Sequence, residues 1–517
     1  MYVIGPLEDQ TVGLVWSQIS DKLFGSSLIN GIPVYTRLFH ELISPWSSSQ
    51  PVFSFLVSIL FTILGKNGYN ILLLVALTLN LLFSYLYFKK FRFGFFYSIF
   101  YSFSSYTWIH LTHLALMQIW LFPLFLILLE KFKTNTLTII KMALFITLAL
   151  LISNYLGFFI LMVFFFDCIS EKLTTVYVKK YIQVILLSAL FTIFAILPFI
   201  KLNYFSTYND RVIKQRSSNQ MEDFLIFSSK PWHFFLPSTK NPIYGNSVHS
   251  LRLYLENVRF ILIFDQYFDR EHNASFFGFS FLLTLAFLIS SLIYKHKSTK
   301  IVSKYLIVSA LILLFMMPPY ILIRGIKFYT PGYVMYTIFP MFRSLSRLSI
   351  VLLLYLLTIF GTILDYNYVL FSDRIRKLTK LFIPIIFIFT LFEVFVPQSV
   401  RKMDIPPNIY TYIGNNTQRI EKIAVYPYNK TNEAVFWIPV YKRELVNPRG
   451  YEFSNYSSET FTKSIPTEKG LKTLNEMGIN YLVIFKTENE ESLKFLFNSQ
   501  KLSLVKDFGD SRLYLVR

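Results

Sequence analysis

Residues 69–88, YNILLLVALTLNLLFSYLYF, run through a full stretch of chain without one charged side chain. A helix needs about 20 such residues to cross a hydrocarbon core of about 30 Å, and in lipid a helix is one of the few forms that satisfies its own backbone polar groups. Similar apolar runs recur between residues 69 and 202 and again between 276 and 397. Of its 517 residues 54% are hydrophobic, 19% aromatic and only 15% charged, far from the composition of a soluble globular domain. The pattern predicts a polytopic all-α membrane protein of about ten crossings, at 69–88, 94–109, 114–130, 137–152, 155–170, 181–201, 276–294, 304–323, 347–364 and 381–397.

Charge orients these crossings. With the N-terminal segment outside, alternate connections lie inside and collect Lys89, Lys90, Arg92, Lys131, Lys133, Lys141, Lys172, Lys179, Lys180, Lys295, Lys297, Lys300, Lys304, Arg374, Arg376, Lys377 and Lys380. The opposite connections near 110 and 153 carry no lysine or arginine, and 324–346 carries only Arg324, Lys327 and Arg343. The positive-inside rule therefore accounts for the formal net charge of +20 without a nucleic-acid partner. A single cysteine, Cys168, excludes a disulfide within the chain and a cysteine-based metal site.

The organisation that follows is a first outer loop (1–68), a transmembrane block (69–202), an outer loop (203–275), a second transmembrane block (276–397) and an outer tail (398–517). PVFSFLVSILFTIL, residues 51–64, is too short to cross and would invert the charge pattern, so it is expected as a helix in the membrane interface. No apolar segment precedes the outer N-terminus, so one further helix is expected upstream of Met1. In the tail, KIAVYPYN and NYLVIFK read as buried strands, and TEKGLKTLNEMG reads as a helix capped by Thr467 and ended by Gly478, giving a small α/β domain.

Soluble-enzyme motifs are missing from the sequence. No glycine-rich phosphate loop or nucleophile elbow occurs, HEL at 40–42 lacks the second histidine of a zinc helix, and the aspartates of FDQYFD (264–269) are too widely spaced for a nucleotide-sugar metal site. The chemistry-bearing residues gather at the outer face. Glu8 and Asp9 form an acidic pair that suits a general base, or else a solvated loop and helix cap. His110 and His113 stand three apart at an outer turn, as ligand-facing groups or as part of an aromatic belt with Trp108 and Trp120. Arg343 and Arg347, four apart where the chain re-enters the membrane, present guanidinium forks suited to phosphate, or snorkel toward headgroups. In the long outer loop Arg211, Lys214, Arg216, Glu256 and Arg259 either shape a site or are merely solvated.

In this order the residues resemble the GT-C fold of membrane glycosyltransferases. Glu8 and Asp9 followed by SSSQPVFSFLVSILFTILG, then KKFRFG ending one crossing and SSYTWIHLTH ending the next, are similar to the family's arrangement. The chain also resembles bacterial members in which a His-Leu pair (His113-Leu114) precedes a Trp-x-x-Pro-Leu helix (Trp120 to Leu124), and in which FR-x-x-x-R (342–347) opens a late helix before an outer tail. The resemblance implies a catalytic acid in the first outer loop, Asp9 ahead of Glu8, and a donor phosphate held by Arg343 and Arg347 with His113 and His110 nearby. It further implies transfer of a sugar from a polyprenyl-phosphate donor to a glycan, lipid or protein acceptor at the outer face of the cell membrane. Some relatives use a divalent metal, a point the sequence leaves open. The competing expectation is a transporter or flippase of a lipid-linked glycan. Scarce mid-helix charge and the lack of a visible repeat favour the enzyme; Asp167, Asp365 and Glu393 all fall near helix ends.

Overall fold

The computed structural model describes residues 2–4, 50–64, 67–132, 138–170, 175–204, 220–257, 271–293, 299–323, 326–398, 400–402, 405–418, 421–447, 458–486 and 501–517. They are mostly helical. In chain order the helices are α1 (Pro51–Leu64), α2 (Gly68–Phe88), α3 (Gly94–Ser102), α4 (Ser105–His110), α5 (Leu121–Phe132), α6 (Thr138–Ile152), α7 (Asn154–Ser170), α8 (Thr175–Tyr204), α9 (Gln220–Ile226), α10 (Gly245–Asn257), α11 (Phe279–Ile293) and α12 (Thr299–Met316). After them come α13 (Gly332–Ile338), α14 (Ser349–Leu370) and α15 (Asp373–Val394), and then the short helices of the tail. The chain divides into two compact units, one of Leu73–Ile193 and Asn219–Ser399, the other of Met1–Leu72, Phe194–Ser218 and Val400–Arg517.

Among the described residues, three helical segments are long and apolar enough to cross a membrane: Gly68–Phe88, Val178–Leu197 and Leu345–Leu370. Thr138–Ile152, Asn154–Ser170, Phe279–Ser291 and Val302–Met316 are apolar but shorter. Much of this surface is bare hydrocarbon. On α8, Tyr181, Val184 and Ser188 are buried, while Ile182, Leu186, Leu190 and Ile193 stand exposed at helical spacing along the opposite face. A soluble monomer seldom exposes so continuous an apolar stripe.

Two expected crossings have a different form. The run 94–109 breaks into α3 and α4 at Phe103 and Ser104, and the run 114–130 becomes helical only at Leu121. A buried amide accounts for the second of these. Asn80, fully buried inside α2, donates from Nδ2 to the Met117 carbonyl at 2.9 Å and accepts the Trp120 N–H on Oδ1 at 2.9 Å. Those two bonds supply the irregular segment 111–120 with partners that a helix would otherwise provide. Gln118 adds to this, donating to the Leu114 carbonyl at 2.9 Å and accepting from Trp120 Nε1 at 2.8 Å.

The core of this unit is aromatic. Tyr97, Phe100, Phe281, Phe360 and Phe387 meet ring to ring, with centroids 5.2 Å apart for Tyr97–Phe387, 5.3 Å for Phe100–Phe281 and 5.5 Å for Phe360–Phe387. Edge and offset contacts of this kind add to the area they bury. Glu393, buried near the end of α15, turns back on the start of α11: its carboxylate accepts the Ser280 N–H and hydroxyl, each at 3.0 Å, and the Tyr244 hydroxyl at 3.1 Å. A carboxylate at a helix N-terminus satisfies orphan donors and meets the favourable end of the dipole. Just before that start, Gly278 has φ +85°, and a Cβ there would lie 2.7 Å from Thr390 Cγ2 and 2.8 Å from Glu393 Oε2.

The second unit holds a short antiparallel pair, β1 (Tyr2–Ile4) with β4 (Val400–Lys402). The first unit has a two-stranded hairpin, β2 (Tyr320–Ile323) with β3 (Ile326–Tyr329). In the tail β5 (Lys422–Tyr426), β6 (Glu444–Leu445), β7 (Tyr481–Phe485), β8 (Leu502–Asp507) and β9 (Ser511–Val516) form a sheet of order β6-β5-β7-β9-β8. β5 runs parallel to β6 and β7, and β9 is antiparallel to β7 and β8, so the small α/β domain expected of the tail is present. The predicted helix spans Glu468–Glu476: Thr467 Oγ1 accepts the Gly470 N–H at 3.2 Å, and Gly478 follows in the left-handed region at φ +64°. The strand interiors are apolar because both faces of the central strands are covered.

Candidate functional site

Two carboxylates come to the expected arginines. Arg347 lies in the 3-10 turn Leu345–Leu348 that leads into α14, and its guanidinium grips Glu271 with both arms, Nε to Oε2 at 2.8 Å and Nη2 to Oε1. The two side chains are 12% and 14% exposed, which makes this a desolvated, bidentate pair rather than a surface contact. The face of Tyr155, from the first turn of α7, lies 4.5 Å from the guanidinium carbon. Arg343 precedes the turn, and its Nη1 pairs with Asp223 of α9 in a much more open setting, with side chains 46% and 26% exposed. The two arginines therefore do not share one helix face as their spacing predicts, because the chain between them is a bend and a 3-10 turn, not α-helix.

Glu271 opens a second 3-10 turn, Glu271–Ser275, which packs on α4 and on the Leu345–Leu348 turn. Ser105 fixes this packing by donating to the Phe276 carbonyl at 2.6 Å. Ser346 ties in a third strand of chain, its N–H reaching the Phe227 carbonyl at 3.0 Å. Burial pushes the Glu271 carboxyl up, but the charge and hydrogen bonds of Arg347, helped by His110 and His113, outweigh it and hold the group down to about 2.

His110, at the end of α4, is almost fully buried. Its ring stacks on Tyr106 with centroids 4.1 Å apart, and Nδ1 lies 2.8 Å from the Tyr106 carbonyl oxygen. Burial drives its pKa down to about 4; Glu271 opposes the drop, and Arg347 reinforces it. The imidazole is thus neutral at pH 7. His113 sits with its ring centroid 6.3 Å from that of His110, and its Nδ1 is 3.1 Å from Thr112 Oγ1. His110, Glu271 and Arg347, together with His113, form one electrostatic cluster, so the structure brings together three of the four phosphate-site residues expected from sequence and adds Glu271.

Several buried polar atoms in these same segments have no hydrogen-bond partner among the described residues. They are Ser104 Oγ and Thr107 Oγ1 around α4, His110 Nε2, Asn273 Nδ2 in the Glu271–Ser275 turn, and Ser346 Oγ and Ser349 Oγ at the start of α14. Buried polar groups are paired in the large majority of cases, so such a concentration marks these segments out.

Glu8 and Asp9, together with Arg211, Lys214, Arg216 and Arg259, lie outside the described residues. Among the described residues no group of three His, Cys, Asp or Glu side chains could hold a metal ion. Glu271 and Asp223 escaped the sequence reading. The one signal available was an acidic residue beside a histidine, Glu271-His272, near the end of a loop otherwise read as solvated. No protein-family model matches the chain, and no curated protein matches it either.

Proposed function

We propose that this chain is a polytopic membrane protein that transfers a sugar from a polyprenyl-phosphate donor to an acceptor at the outer face of the membrane. The observation that carries the reading is the desolvated Arg347–Glu271–His110 cluster at the start of α14, far along the helix from the lysines and arginines that the positive-inside rule puts in the cytoplasm. A buried charge constellation next to membrane-length apolar helix is costly and is a functional-site hypothesis by default.

On this reading the chain crosses the membrane ten times, at the apolar runs given above. α5, at about 1.5 Å per residue, reaches only about 18 Å, so the crossing at 114–130 includes the irregular residues 114–120, where the Asn80 bonds make such backbone tolerable in the membrane.

Within the site the two arginines take different parts. Arg343 is the better exposed, and its partner Asp223 is held less deeply, so a lipid phosphate exchanges for that carboxylate at Arg343. Arg347 stays clamped by Glu271 as a net-neutral pair that fixes the turn at the start of α14, and Arg343 favours the negative charge that builds on the departing phosphate. The resemblance to GT-C enzymes gives the general base to Asp9: it takes the proton of the acceptor hydroxyl, which attacks the anomeric carbon while the lipid phosphate leaves.

The test is release of lipid phosphate by purified full-length protein offered a panel of polyprenyl-phosphate sugars. Turnover is expected on at least one donor, with Arg343→Met slowing it at least tenfold and Asp9→Asn abolishing it. Intact, folded protein that releases nothing from any donor sinks the transferase reading; an Asp9→Asn protein working at the parent rate removes the base assignment.

A further inference from the structure

His110 is held so that one of its nitrogens is committed and the other is offered. The Tyr106 carbonyl can only accept, so Nδ1 carries the proton and donates along its 2.8 Å contact. In the neutral ring Nε2 is then a bare lone pair, buried and without a partner among the described residues. Stacking on Tyr106 fixes the ring plane, so this acceptor has a set direction.

The neighbours narrow what can meet it. A phosphate oxygen brings only lone pairs and would be repelled by another; a cation would face Arg347. A hydroxyl suits both requirements, donating its proton to Nε2 and accepting from a donor on its other side. The other unpartnered atoms are of matching kind: hydroxyls at Ser104, Thr107, Ser346 and Ser349 and an amide NH2 at Asn273, all uncharged, from segments packed on one another. Hydroxyls that both give and take hydrogen bonds are the counterpart of a polyol ring.

We propose that His110 and these hydroxyl and amide groups form the subsite for the uncharged, hydroxyl-rich part of the ligand, with a sugar hydroxyl donating to His110 Nε2. The identity of that sugar as the donor's rests on the transferase reading above, whereas the subsite itself does not.

The experiment uses full-length protein in detergent with 15N-histidine, the bare-nitrogen resonance of His110 being assigned by its loss in His110→Phe. Three probes are added in turn: methyl glycosides of common hexoses, polyprenyl phosphate without sugar, and polyprenyl-phosphate sugars. Sugar-bearing probes are expected to move that resonance and sugar-free polyprenyl phosphate to leave it in place. His110→Phe, which keeps an aromatic ring on Tyr106 but no lone pair, is expected to weaken sugar binding about tenfold, while His110→Gln, whose amide oxygen accepts, recovers most of it. Thermal melting of both variants separates lost binding from lost fold. A resonance moved equally by sugar-free polyprenyl phosphate, or by no probe, overturns the subsite. If lipid phosphate is released while the resonance stays still and His110→Phe keeps the parent KM, the transferase stands and the subsite falls; if glycosides move the resonance but no donor turns over, the subsite stands and the transferase falls.

Discussion

The two ends of α14 solve the same problem, charge beside an apolar helix, in opposite ways. At the far end the Arg92 N–H reaches the Asp365 carboxylate at 3.2 Å, the Arg92 guanidinium lies 3.9 Å from the Tyr368 ring, and nearby Lys90 meets Glu130 at 2.5 Å with side chains 36% and 52% exposed. Even the buried acid Asp167, at the end of α7, is fully supplied, by Tyr181 Oη at 2.7 Å and Lys304 Nζ at 2.6 Å. At the near end Arg347 and Glu271 are drawn under the surface and lie beside hydroxyls and an imidazole nitrogen that nothing described satisfies. Charges kept wet and paired are an anchor; charges kept dry among unsatisfied groups are prepared for something else.

The largest effect expected from this contrast is on stability. Glu271→Ala or Arg347→Met leaves a buried charge without its partner and is expected to cost about 3–5 kcal/mol, read from thermal unfolding of the full-length protein in detergent. The double replacement Glu271→Leu with Arg347→Met should recover most of that; a double variant as unstable as either single one breaks the claim that the pair is dry.

Next comes pH. The His110 pKa is about 4 in the fold against 6.5 unfolded, so above pH 6.5 both states are neutral and nothing changes. As pH falls from 6.5 toward 4 the unfolded chain takes up a proton that the folded chain refuses, and stability drops by about 3 kcal/mol in total. His110→Gln should flatten the profile across that window. Glu271, depressed to about 2 from 4.5, stabilises the fold above pH 4.5 and loses its share only as pH falls below that toward 2, so the two groups can be told apart.

A smaller cost, about 2 kcal/mol, is expected for Asn80→Leu, which strands the Trp120 N–H and the Met117 carbonyl. Smallest is Lys90→Ala: less than about 1 kcal/mol at low salt and nothing measurable at high salt, as befits an exposed pair. If Lys90→Ala proved as damaging as Arg347→Met, the distinction between the two ends would disappear.

Elements set by local pattern could be read directly from the chain. The α1 helix falls on residues 51–64 as its apolar run predicts, and the tail strands and the Thr467 cap lie where short-range signals put them. The histidine pair and both arginines were also visible as candidates, because each rests on spacing within a few residues. What stayed hidden depends on partners distant in sequence. Arg347 and Glu271 are 76 residues apart, Arg343 and Asp223 120, and nothing near either acid says which cation it will meet. The irregular approach to α5 escaped for a related reason: hydropathy sees apolar residues there but not that Asn80, 37 residues before Met117, supplies the backbone's missing partners.

Gly278 has a consequence out of proportion to its size. With φ +85° and Thr390 and Glu393 pressed against the place a Cβ would occupy, the crease it makes admits glycine alone. The short stretch from Glu271 to that crease is moored at its downstream end by a side chain that does not exist, and any substitution there would have to push Thr390 and Glu393 aside or shift the turn that carries Glu271. A small-looking change seven residues from Glu271 would thus reach the Arg347–Glu271 pair.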